Sequence, residues 1–298
     1  MFGQSLTRPL QVQFGLHNFD VTILTGKGYA EIPHTTNKLR GQFTTELSSN
    51  KGLYVGNSMK VGKLYDPVQQ VERDMIVVGT LGGMVYVIDP AVDPEGDGAL
   101  VYELQDDLGW CVMGLDIADV DSWLTGTPYT GDPYNEIVVG TWLDTGNYDD
   151  FNTGSDPTRH RGHVIILKPD PASRHLIIKE TITLNDSYSP GMFSSGLSGV
   201  KVDNVDDDAQ HKTEIWCGDA TGYLYCLGRN PNAPFNNQYV AFFRSAGMGC
   251  YPGIYNKLVP VKKTVTIQGV QRTVTEQLIV FTPGYGYRFQ VNYGVVPW

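Results

Sequence analysis

A short phrase recurs along this chain and limits what it can fold into. Residues 135–141 read N-E-I-V-V-G-T: an acidic residue, a β-branched run, a glycine and a small polar residue. Residues 74–80 read D-M-I-V-V-G-T, 214–219 read E-I-W-C-G-D, and 276–282 read E-Q-L-I-V-F-T with Phe281 in the glycine's place. A turn and a second apolar strand follow each copy: G-G-M-V-Y-V-I-D-P from Gly82, G-H-V-I-I-L-K-P from Gly162, T-G-Y-L-Y-C-L from Thr221, and Y-G-Y-R-F-Q-V from Tyr285. Such repetition means one supersecondary unit copied along the chain, each copy burying its apolar face against the next.

The flanking segments complete four strands per unit, here called a to d. In the second unit (52–106) strands are expected at 58–65, 74–80, 84–90 and 99–106. In the third (110–184) strand a is G-L-D-I-A-D-V-D at 114–121 and strand d is L-I-I-K-E-T-I-T-L at 176–184. The fourth (193–244) has G-V-K-V-D-N-V-D at 199–206, aligning position by position with 114–121, and a last strand at 238–244. The fifth (250–298) has three strands, at 254–261, 277–282 and 287–291, and no clear fourth. Between Gly140 and Gly218 the repeat is stretched by two insertions, 122–135 and 143–161. The stretch 9–47 alternates apolar and polar residues but departs from the phrase. It reads as a degenerate first unit, or as strands that complete the last one.

Four-stranded antiparallel units in series are the β-propeller pattern. The expectation is an all-β chain: one propeller domain over 1–298, with about five blades (9–47, 52–106, 110–184, 193–244 and 250–298). The alternative is part of a larger ring. Residues 10–16 could supply the missing last strand and close the circle. With 34 glycines and 17 prolines the chain is provisioned for many turns.

A net charge of −10 argues against a nucleic-acid partner, which calls for clustered Lys and Arg. No segment approaches the roughly 20 apolar residues of a membrane-spanning helix. The opening M-F-G-Q-S-L-T-R-P-L lacks the order of a signal peptide. Four cysteines are too few for a disulfide-built fold. Cys217 and Cys226 could face each other across a hairpin if its loop is Thr221-Gly222; otherwise they are reduced strand cysteines. Cys111 and Cys250 occupy equivalent places in non-adjacent units and are not expected to pair.

The segments joining strands a and b resemble the FG-GAP/VCBS repeat family, which includes the propeller of integrin alpha subunits. The hairpins joining b and c are also similar to quinoprotein propeller repeats. The first of these families carries a loop D-x-D-x-D-G-x-x-D/E-I-x-V-G that binds calcium. Here Asn204, Asp206 and Asp208 match its first three acidic positions, Ala209 replaces the glycine, and Glu214 takes the last position after a two-residue insertion. In the third unit Asp119 and Asp121 match the first two positions and Glu136 follows the 122–135 insertion. Lys63 and Lys257 fall in or near the acidic positions of the second and fifth units, so those sites read as lost. The resemblance implies Ca²⁺ as a cofactor, an adhesion-type role and an extracellular, cell-surface or periplasmic location. Alternating carboxylates suit a hard cation that takes six to eight oxygen ligands. The competing reading is a solvated acidic turn.

No nucleophile elbow, H-E-x-x-H, phosphate-binding loop or haem-attachment motif is present, and the six histidines are scattered. No residue is singled out as catalytic. In a propeller the d–a and b–c loops share one face. The expected d–a loops, 108–114, 187–196 and 246–253, are rich in aromatic residues and methionine. Trp110, Met113, Tyr188, Met192, Phe193, Met248, Tyr251 and Tyr285 are therefore the candidate ligand-binding face. The alternative is that they plug the ring as core. Two functions follow. One is a non-catalytic recognition or structural module that docks a protein or glycan, with assembly into a larger complex open. The other is a propeller enzyme acting on polysaccharide, or a quinone-dependent dehydrogenase.

Overall fold

A computed structural model of the chain describes residues 10–14, 17–21, 55–66, 69–80, 83–89, 100–120, 134–144, 162–182, 196–207, 213–219, 223–229, 239–244, 257–282 and 285–291. These residues form strands and turns with no helix among them, so the all-β expectation holds. Among the described residues no helix is long and apolar enough to cross a membrane.

Two short strands, β1 (Leu10–Phe14) and β2 (His17–Val21), come first. Then come β3 (Val55–Asp66), β4 (Val71–Thr80), β5 (Val85–Ile88) and β6 (Leu100–Leu104). The next four are β7 (Trp110–Ala118), β8 (Glu136–Asp144), β9 (Val164–Asp170) and β10 (His175–Ile182). They are followed by β11 (Leu197–Asp203), β12 (Glu214–Asp219), β13 (Leu224–Arg229) and β14 (Tyr239–Arg244). Last are β15 (Lys257–Ile267), β16 (Val270–Thr282) and β17 (Tyr285–Gln290).

β3 to β6 pair in order as an antiparallel meander, and so do β7 to β10, β11 to β14, and β15 to β17. A short parallel pairing, Glu103 with His175 and Leu104 with Leu176, joins β6 to β10. The first two meanders thus form one eight-stranded sheet in the order β3-β4-β5-β6-β10-β9-β8-β7. Its end strands β3 and β7 lie against each other, so the sheet nearly closes on itself.

The core explains the unbroken apolar runs. Along β8, Ile137 and Val139 face one cluster with Met75, Val77, Val85 and Val87 of the preceding meander. Val138 faces the other way, into a cluster with Leu197, Val200, Ile215 and Tyr225 of the following one. β9 splits likewise, with Ile165 and Leu167 toward one side and Val164 and Ile166 toward the other. A third cluster joins Trp216, Leu224 and Cys226 to Leu258, Leu278 and Val280. Each cluster is shared by two successive meanders, so the middle strands are buried on both faces and need apolar residues at every position. Burying one such Val or Ile contributes about 1.5–3 kcal/mol.

Several expectations need correction. Trp110 and Met113, expected in a connecting loop, lie within β7. β1 does not extend the last sheet; it pairs with β2 in a separate two-stranded sheet. Lys257 sits opposite Phe281, at the anchor-glycine end of its strand, so it is not near the acidic positions. Lys262 is at the place corresponding to Lys63, Asp119 and Asn204. Strands β15 and β16 continue past the expected ends into a two-stranded arm. They are joined by a two-residue turn with Gln268 and Gly269 both at positive φ, 51° and 81°. Positive φ at both turn residues suits a right-twisted hairpin, and glycine supplies it at no steric cost.

The β12–β13 pairing ends at Gly218 with Leu224, so the loop is longer than Thr221-Gly222. Cys226 is opposite Trp216 and Cys217 opposite Tyr225. The two cysteines therefore enter different core clusters and stay free. Burial pushes both thiols well above the ordinary value. The remainder of the expected first unit, Cys250, and the insertions at 122–133 and 145–161 lie outside the described residues.

Candidate functional site

The recurring phrase resolves into three structural tasks. Its acidic residue anchors the end of strand a: Glu136 Oε2 accepts Val120 N–H at 2.9 Å, and Glu214 Oε2 accepts Val205 N–H at 2.8 Å. Both carboxylates are almost fully buried, and buried Met75 fills the same place in the second unit. The glycine makes room for the next unit. A Cβ on Gly79 would lie 2.2 Å from Val112 Cγ1, and one on Gly140 would lie 2.5 Å from Val200 Cγ2. The small polar residue caps the b–c hairpin. Thr80 Oγ1 accepts Met84 N–H at 2.9 Å, Thr141 Oγ1 accepts His163 N–H at 3.0 Å, and Asp219 Oδ1 accepts Tyr223 N–H at 2.9 Å.

Neighbouring units are stitched at matching positions. Asn135 Nδ2 donates to Lys63 O at 2.9 Å, and Thr213 Oγ1 donates to Asp119 O at 3.3 Å. The first strands of three units meet in an ion cluster. Asp116 of β7 is 1% exposed and lies 2.8 Å from both Lys60 Nζ of β3 and Lys201 Nζ of β11; its Oδ2 also accepts Val202 N–H at 2.7 Å. Burial alone would raise the Asp116 carboxyl, but Lys201 and Lys60 hold it below the ordinary value. The sequence held a signal for this: in the aligned segments 114–121 and 199–206, Asp116 and Lys201 share one position with opposite charges.

The acidic loop after β11 is the site the FG-GAP resemblance implies for calcium. Asp208 and Asp121 lie outside the described residues. Glu214 is committed to Val205 N–H. Asp119 is partly buried and Asp206 has a partner of its own. Asn204 Oδ1 is buried without a hydrogen bond, which favours a ligand. Asp203, which the sequence reading passed over, is the busiest group. Its Oδ2 accepts Thr275 Oγ1–H at 2.5 Å and Trp216 Nε1–H at 3.3 Å, while Oδ1 lies 2.5 Å from Lys262 Nζ. Among the described residues no three His, Cys, Asp or Glu side chains converge as a metal-ligand group. Lys262 Nζ, on Asp203 and the Asn204 carbonyl, already brings one positive charge to the start of the loop.

Burial, opposed by the Val205 N–H bond and reinforced by the nearby Asp206 and Asp203 charges, pushes Glu214 up to about 8. Between its ordinary 4.5 and about 8 the folded chain holds a proton that the unfolded chain has lost. This group's contribution to stability therefore falls as pH rises across that window and is constant above it. Glu214→Gln is expected to flatten the decline and to raise stability near pH 9 by on the order of 1–3 kcal/mol. Urea unfolding at acid, neutral and alkaline pH measures it; parallel profiles for both proteins would remove the assignment.

At the opposite end of the meanders, where the b–c hairpins turn, Trp110 packs against His163 with ring centroids 4.2 Å apart and the planes tilted by 38°. Both are partly buried. Burial lowers His163 below the ordinary histidine value, so the imidazole is neutral at pH 7. The hairpin beneath is doubly fixed, since Thr141 N–H donates to His163 O at 2.9 Å and Thr141 Oγ1 accepts His163 N–H. Met113 is buried among core residues. Tyr285 begins β17, and Tyr188, Met192, Phe193, Met248 and Tyr251 lie outside the described residues. Compared with known families and characterised proteins, the chain matches no family model and no characterised protein.

Proposed function

We propose that this chain is a β-propeller that serves as a non-catalytic recognition module, binding a protein or glycan at the b–c end. In this reading each meander is a blade, and the eight-stranded sheet is two blades touching at their outer strands. One observation carries the ring: equivalent positions make equivalent contacts from unit to unit. Asn135 binds the Lys63 carbonyl as Thr213 binds that of Asp119, and the phrase's glycine faces the next first strand in both units, Gly79 against Val112 and Gly140 against Val200 and Leu197, the last being the counterpart of Val112. A repeated transformation that places first strands beside one another generates a closed circle or part of one.

The recognition reading rests on the b–c end. There a hydrogen-bonded hairpin holds a tilted, partly exposed aromatic pair, an arrangement suited to sugar rings or to apolar side chains of a partner. The described buried carboxylates have structural partners instead: Asp66 and Asp89 share Arg73, Glu136 and Glu214 hold backbone N–H groups, and Asp219 caps a hairpin.

Trp110→Ala tests the site. A panel of glycans and immobilised extracellular proteins is screened against wild type, and hits are repeated with the variant. Loss of at least about tenfold in affinity, on the order of 1.4 kcal/mol, measured well below the variant's own melting temperature, supports the reading, since Trp110 also packs on the core and its loss lowers stability. Unchanged binding moves the site elsewhere. Turnover of any substrate would favour an enzyme.

A further inference from the structure

Residues 203–207 carry Asp203, Asn204, Asp206 and Asp207, yet the positive charge among them comes from the chain itself. Lys262, at the base of the β15–β16 arm, places Nζ 2.5 Å from Asp203 Oδ1 and also donates to the Asn204 carbonyl. The rest of the arm's base follows it in. Thr275 N–H donates to Val205 O at 2.7 Å, Thr275 Oγ1–H to Asp203 Oδ2 at 2.5 Å, and Thr273 N–H to Asp207 Oδ2 at 2.7 Å. Four donors from one hairpin thus converge on five consecutive residues.

We propose that Lys262 is the built-in cation of this loop, ordering it and locking the arm of the last meander onto the preceding one without a metal ion. A hard divalent cation gathers six to eight oxygens at 2.3–2.6 Å for calcium. To take Asp203 Oδ1 and the Asn204 carbonyl it would have to expel Lys262. Lysine suits the place as a compact charge on a flexible stem. Its side chain is 36% exposed, so the stem reaches in from the surface and the ammonium keeps part of its hydration.

Within the β7–β10 meander a lysine also meets the phrase's carboxylate: Lys179 Nζ of β10 lies 3.4 Å from Glu136 Oε1, on the group that holds Val120 N–H. In the meander before that, Lys63 itself stands at the first acidic position. This inference rests on contacts of β15 and β16 with the end of β11 and the residues that follow it, and holds whether or not the meanders close into a ring.

The test is a thermal melt of the full chain as wild type, Lys262→Arg and Lys262→Met, each in excess chelator and in millimolar calcium chloride. Wild type is expected to melt at the same temperature in both. Lys262→Met is expected to melt lower by several degrees in chelator, with Lys262→Arg between. A calcium-dependent rise in the wild-type melting temperature would overturn the proposal, and so would a Lys262→Met variant that melts with wild type. Should Lys262→Met not fold, the wild-type pair of melts still decides the matter.

Discussion

Gly79→Ala is expected to destabilise the chain by about 3 kcal/mol, at the upper end of the usual cost of overpacking. At an unconstrained strand position the same change would be neutral or stabilising, because alanine reduces the freedom of the unfolded chain. The sign reverses here because the new Cβ would lie 2.2 Å from Val112 Cγ1, 2.9 Å from Val112 Cβ and 3.2 Å from Ser58 Cβ. Val112 is fully buried and β-branched, so it cannot swing clear. Ser58 Oγ–H also donates to Val112 O at 3.1 Å, which ties the two strands at that level. Val112→Ala should relieve part of the clash, since it removes Cγ1 and keeps the Cβ at 2.9 Å. A double-mutant cycle is expected to show coupling of at least about 1 kcal/mol. Additive effects would mean that the two meanders do not meet there.

Asp116→Asn should cost about 2–4 kcal/mol. Breaking a fully buried ion pair costs about 3–5 kcal/mol, and the partly exposed lysines, 37% for Lys60 and 33% for Lys201, recover some hydration. The change removes the charge between two ammonium groups that then repel across three strands. The pH profile supplies a second readout. Asp116 titrates below its ordinary 3.8 in the folded chain. Its contribution is therefore complete above that value and is lost as pH falls through the folded pKa. Wild type should lose this contribution in acid, and Asp116→Asn should lack that part of the decline. Chemical denaturation from neutral to acid pH measures both. A loss under about 0.5 kcal/mol, typical of an exposed pair, would show that the cluster is held loosely.

The strands were legible because their causes are local and periodic. The V-V-G-T and V-I-I-L runs could be nothing but doubly covered strands, and β4, β8, β9 and β12 fall where the phrase places them. The arm was missed beyond Val261, although K-K-T-V-T-I-Q-G-V-Q-R-T-V-T alternates and carries a Q-G turn. It lies outside the repeat, and the repeated phrase carries no information on how far a strand runs beyond it. The acidic positions are ambiguous for a different reason. A carboxylate that holds a backbone N–H and one that holds a metal ion look alike in sequence; only Val120 beside Glu136 and Val205 beside Glu214 tell them apart. Asp116 and Lys262 were passed over because their partners are far away in the chain, in other meanders.

Amide hydrogen exchange, resolved by strand, tests the central claim most directly. If the meanders are units stacked through their first strands, β7 and β11 are inner strands and should exchange slowest, near the global unfolding limit. β10 beyond Leu176 is then an outer edge, and the amides of 177–182 that do not bond β9 should exchange fast. If the first eight strands instead act as one continuous sheet, the β6–β10 seam lies at its middle. Residues 103–104 and 175–176 would then be protected at least as strongly as β7, and that result would contradict the account.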